Sequence, residues 1–134
     1  MLAHADLRAA EQCARGLLET ATHYGANKYI AVAHKLLAEA ASKTGNHAVA
    51  IDHLNEAVGV LAQYPTPIVA WKVYAALGRV LLASGDEPSA RNALTESMAI
   101  VDRIAGNITD ESLRNTFLNS SEVLQVRGFC SGGL

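Results

Sequence analysis

The chain has 134 residues and a formal net charge of −2, with a pI near 6.2, which suits one domain and excludes the overall basic field expected of a nucleic-acid partner. Half of the residues are apolar but only 5% are aromatic, a balance led by Ala and Leu that fits close-packed helices better than a sheet. The opening MLAHADLRAAEQ puts Asp6 and Arg8 where a signal peptide needs an apolar run, and the longest apolar region, Ile68 to Ala83, carries Lys72 and Arg79 and is too short to span a bilayer; a soluble cytoplasmic protein with no membrane partner is expected.

A first helix over 3–23 is marked by Leu7, Ala10, Ala14, Leu17, Leu18 and Ala21, the stripe of one helical face. Cys13 lies in this stretch and is expected as a small buried hydrophobe. Tyr24-Gly25-Ala26-Asn27 closes the helix and offers Asn27 as the N-cap of a second, over 27–43. Gly45-Asn46 repeats that punctuation before a third helix over 47–63. At Pro65-Thr66-Pro67, Thr66 is the expected cap and Pro67 fits the first position of a fourth helix over 67–84, where a missing N–H costs nothing. Gly85 then fits a helix end with positive φ, Asp86 caps a fifth helix over 87–105, and Pro88 falls in its first turn. Gly106-Asn107 stops that helix, and Thr109 or Asp110 caps a last one over 110–126, with a break point at Asn119-Ser120-Ser121. The remainder, 128–134 (GFCSGGL), reads as a flexible tail with Cys130 exposed, because Gly and Ser there do not offset the entropy of ordering. Two cysteines near opposite ends, with no secretory signal, argue against a disulfide framework.

One offset matches the sequence to itself. Leu37 and Leu77, Gly45 and Gly85, Ala50 and Ala90, and Leu54 and Leu94 each stand 40 residues apart, while Ala38 falls on Gly78 and Ala57 on Ser97. The same step upstream sets Ala50 on Ala10, Val58 on Leu18 and Tyr64 on Tyr24. The organisation is therefore a half-unit (1–26), two full units (about 27–65 and 66–106), and a C-terminal helix (107–127) before the tail.

No catalytic or cofactor-binding constellation emerges. Gly78 and Gly85 form neither GxGxxG nor GxxxxGK and follow no strand, and no close Cys/His cluster offers a zinc site. Asp52, His53 and Glu56 are near neighbours on the third helix, but a solvated face explains them better than a metal site does. His34 takes the place of Tyr74 in the period and reads as a packing residue, as does the single Trp71.

Tyr74-x-x-Leu77-Gly78-x-x-Leu81-x-x-x-Gly85, followed by Ala90, Leu94 and Ser97, resembles the tetratricopeptide repeat, and His34-x-x-Leu37-Ala38-x-x-Ala41-x-x-x-Gly45 with Ala50, Leu54 and Ala57 resembles it more loosely. The resemblance covers roughly 1–105 and departs in period, since the family's usual repeat is about 34 residues. Long units of this kind are similar to those in regulatory regions of bacterial transcription activators and signalling ATPases. The resemblance implies an all-α, antiparallel hairpin architecture wound into a short right-handed superhelix, with the first helix of each unit lining a concave groove. Lys35, Glu39, Ser42, Lys43, Lys72, Ala75, Arg79 and Leu82 would then face that groove, which is locally basic and partly apolar. Such a groove suits an extended acidic peptide or the free C-terminus of a partner protein. The expected function is a protein-interaction module without catalysis; the alternative is a regulatory segment that cradles a small molecule near Trp71 and Tyr74. The half-unit should leave Leu7, Ala10, Ala14 and Leu17, with Cys13 beside them, partly bare, and a homodimer across that face is expected.

Overall fold

Helices make up all the regular structure of residues 4–131, the residues that the computed structural model describes. In sequence order they are α1 (His4–Tyr24), α2 (Asn27–Lys43), α3 (His47–Gln63), α4 (Pro67–Ala83), α5 (Glu87–Asn107), α6 (Glu111–Leu118) and α7 (Ser121–Ser131). The protein is all-α, and the expected helices fall within a few residues of these. Residues 3 and 132–134 lie outside the described residues, as does the Cys130 side chain.

Local chemistry sets the boundaries. Gly25, Gly45 and Gly85 hold φ of 66°, 80° and 92° at the ends of α1, α2 and α4, a left-handed turn that a Cβ would strain. Asn46, Asp86 and Asp110 each accept a bond from the backbone N–H three residues on, at 3.4, 3.2 and 2.9 Å, so each satisfies one of the free N–H groups that open a helix. Two expected caps differ. Ala26, not Asn27, occupies the N-cap of α2, since the helix resumes directly after the Gly25 turn. Thr66 holds the N-cap of α4 but donates its hydroxyl to Tyr64 O, leaving the start to Pro67. The last segment does break as its Asn119-Ser120-Ser121 stretch suggests, and α7 then runs through Ser131, into the stretch expected as a tail.

Packing follows the period. α2 and α3 form one hairpin, α4 and α5 another; α3 also packs on α4, and α2 touches α4. Ala50 and Ala90, Leu54 and Leu94, and Ala57 and Ser97 are all fully buried at equivalent points of the two hairpins. At Gly78 a Cβ would stand 2.5 Å from Leu94 Cγ, so α4 and α5 cross where only glycine fits. Ser97 is polar at a buried position and is satisfied there, its hydroxyl donating to Trp71 O at 2.7 Å. The C-terminal pair covers the second hairpin: Val123 and Val126 of α7, which packs on α5, are buried, and Phe117 of α6 meets Trp71 edge to face with ring centroids 6.1 Å apart. α1 packs on α2, with Ala14 and Ala21 turned inward.

Candidate functional site

Small residues on α2 and α4 leave a depression between these helices. Its floor is Ala38, Leu54, Ala76 and Val80, its rim is Glu39, Ser42, Lys43 and Arg79, and its volume is about 370 Å³. The rim charges are not all available. Lys35 and Glu39, one turn apart on α2, are paired, which neutralises the one carboxylate of the rim. Lys43 and Arg79 form no ion pair among the described residues. The groove therefore presents two unopposed cations and a hydroxyl above an apolar floor, an arrangement that attracts an anionic group carried on an apolar body.

Glu39, Ser42, Lys43 and Arg79 are thus brought together as the sequence suggests. Lys72 is not, because its ammonium stands 3.7 Å from Glu122 of α7 and 5.8 Å from the Trp71 ring centroid. Leu82 is half-buried against the core. Ala75, expected to face outward, is buried, since α4 has neighbours on several sides in α2, α3 and α5.

On the α1 face, Ala14 departs from the expectation of a partly bare stripe. Ala14 is 2% exposed because it seats α1 on α2. Leu7 and Leu17 are half-buried, and Ala10 and Cys13 are exposed, so Cys13 is not the buried hydrophobe expected.

Trp71 is 3% exposed, a core residue as the sequence implied. The cavity beside Tyr74, between Pro65, Ala70 and Arg103, is only about 170 Å³, below the roughly 300 Å³ at which small-molecule pockets begin. Burial and the nearby Glu96 carboxylate push the Tyr74 hydroxyl above its usual range.

One pairing was not legible in the sequence. His34 of α2 and His53 of α3 face each other with their Nδ1 atoms 3.1 Å apart. One must carry a proton on Nδ1 and the other must not. Burial first, then the adjacent His53, hold His34 below the usual imidazole range, against an opposing pull from Glu56. Forty residues on, Tyr74 and Ala93 stand at these places, so the α4–α5 hairpin packs without such a pair. Asp52 and Glu56 are exposed, and among the described residues no group of three or more His, Cys, Asp or Glu side chains is placed to share a metal ion. None of the described helices is long and apolar enough to cross a membrane. Comparison with protein-family models, curated proteins and solved structures gave no match.

Proposed function

We propose that the protein is a non-catalytic protein-interaction module of the tetratricopeptide type, its two hairpins forming a short right-handed superhelix whose α2–α4 groove takes an acidic peptide or the free C-terminus of a partner. The observation that carries this reading is the groove itself, with Lys43 and Arg79 unopposed above Ala38, Leu54, Ala76 and Val80 while Glu39 is already neutralised by Lys35. The setting proposed is cytoplasmic, as part or relative of a larger bacterial regulatory protein. Fluorescence anisotropy with a labelled peptide of Glu, Asp and Leu ending in a free carboxylate tests it. Binding should weaken with salt, since these are exposed charges. Arg79→Glu and Lys43→Glu should each cost about tenfold in affinity, on the scale of a hydrogen bond to a charged group. Unchanged affinity in the double variant would sink the reading.

A homodimer is proposed alongside, across the face of α1 that carries Leu7, Ala10 and Leu17, with a second apolar patch on α2. There Tyr29 and Leu36 are 51% and 40% exposed, while Val69 and Ala76, their counterparts 40 residues on, are 7% and 3% exposed. Covering the pair with a second copy would bury what the equivalent residues of α4 bury within the chain. Sedimentation at tens of micromolar should show a dimer that Leu36→Glu dissociates; a monomer near 14 kDa in the unmodified protein refutes it.

A further inference from the structure

The junction of α1, α2 and α3 forms a second cavity, open to solvent and of about 420 Å³, within the range of ligand pockets. Its apolar wall comes from Leu7, Leu37, Ala40, Ala41 and Val49, and its charged wall from Arg8, Glu11, Arg15 and His53. The period supplies a control for it. At the corresponding junction of α3, α4 and α5, Val80 and Leu81 replace Ala40 and Ala41, Ile51 and Asn55 replace Glu11 and Arg15, and Ala93 replaces His53. Val80 and Leu81 are larger than the alanines they replace, and none of Ile51, Asn55 and Ala93 brings the charge or the imidazole that lines the place in the first unit. A packing fault would be expected to be apolar and dry; this cavity is neither small nor apolar.

The charges have a net sign. Arg15 donates from Nε and Nη2 to Glu11 Oε1, at 3.1 and 2.8 Å, and these two cancel. Arg8 forms no ion pair among the described residues. His53 is anchored through Nδ1 to His34, so its ring is held in place at the cavity wall. The groups around that ring are Arg8, Glu11 and Arg15 from α1 and His34 from α2, with Glu56 of α3 acting on His34.

We infer that the α1–α2–α3 cavity is a binding site for a small organic anion, one carboxylate or phosphate on a short apolar body, with Arg8 and His53 on the anionic end and Leu7, Leu37 and Val49 around the rest. The site is separate from the α2–α4 groove and stands or falls independently of the peptide reading. Amide chemical shifts of the full-length protein, followed during titration with hexanoate, hexyl phosphate and hexanol, test it. Either anion should give saturable shifts at Ala40, Ala41, Thr44 and Val49, the tighter of the two identifying the head group, and hexanol should bind at least about tenfold more weakly, the loss expected of a charge-assisted contact. Arg8→Gln, at an exposed position where folding is not at risk, should weaken anion binding by a similar factor. The double variant Ala40→Val, Ala41→Leu, which copies the second unit's filling, should abolish the shifts at Thr44 and Val49. Equal binding of hexanol, no effect of Arg8→Gln, absence of saturable shifts at millimolar anion, or shifts confined to Ser42 and Val80 of the other groove would each overturn the assignment.

Discussion

A single missing methyl separates the two hairpins at their closest crossings. Ala38 is accommodated in the first unit at 1% exposure, but at Gly78 the same methyl would meet Leu94 Cγ at 2.5 Å, and Leu94 is fully buried with nowhere to move. Helix propensity favours Ala over Gly by up to about 1 kcal/mol, while overpacking costs about 1–3 kcal/mol, and the second term should win. Gly78→Ala is therefore expected to destabilise in a urea titration. Gly16→Ala, in the middle of α1 with open space around it, should stabilise by about 0.5–1 kcal/mol. The same sign for both would mean that the crossing is looser than described. The histidine pair sets a second residue-scale expectation. Because His34 titrates below its ordinary value in the folded protein, the unfolded state binds more protons just below pH 6.5, the ordinary imidazole value. Its contribution to stability is full above that pH and is lost as pH falls toward the folded value. Urea midpoints should fall between pH 7.5 and 5.5 by more in the unmodified protein than in His53→Ala, which carries the second unit's residue and removes the like charge; equal falls would show that the pair is not coupled to folding.

Helix ends give the element-scale test. Asp86 bonds the Ser89 amide, so Asp86→Ala should cost about 1 kcal/mol, the usual loss of a capping bond. Thr66 occupies the same position on α4 without such a bond, and Thr66→Ala should stay within about 0.5 kcal/mol, as at an uninvolved site. The ends were legible in the sequence because Gly25, Gly45, Gly85, Pro67 and Asp86 act through their own backbone and immediate neighbours. The order of hairpins was legible because the period repeats the same small and large residues at the same crossings. What failed depended on the angle and company of whole helices. Which residues of the α1 stripe turn inward is decided by how α1 lies on α2, and this buries Ala14 while exposing Cys13. Lys72 left the groove because α7 brings Glu122 within 3.7 Å of it, and no local signal places α7 there. His34 and His53, 19 residues apart on different helices, meet only once the hairpin has closed.

Across the whole molecule the two hairpins are built with unequal cores. On α2 the buried residues are Ala31, Ala33, Ala38 and Ala40 with Leu37 alone as a large side chain. On α4 they include Val69, Trp71, Val73, Leu77, Val80 and Leu81. Burying a Val or Leu is worth about 1.5–3 kcal/mol against roughly 0.8 for one methylene-sized group, so the second hairpin holds the larger share of the hydrophobic stabilisation. It is also covered by α6 and α7 through Phe117, Val123 and Val126, whereas the first carries the 420 Å³ cavity and the exposed Tyr29 and Leu36. Local opening starts where the fewest apolar groups are buried, so such an imbalance opens the weaker end first. Native-state hydrogen exchange should therefore show α4 and α5 amides exchanging only with global unfolding, and α1 and α2 amides exchanging at least about tenfold faster, a gap of about 1.4 kcal/mol in opening free energy. The Ala40→Val, Ala41→Leu variant should narrow that gap, because it adds buried methyl groups to the hollow end alone. Uniform protection from α1 to α5 would show that the protein unfolds as one cooperative unit in spite of its lopsided core.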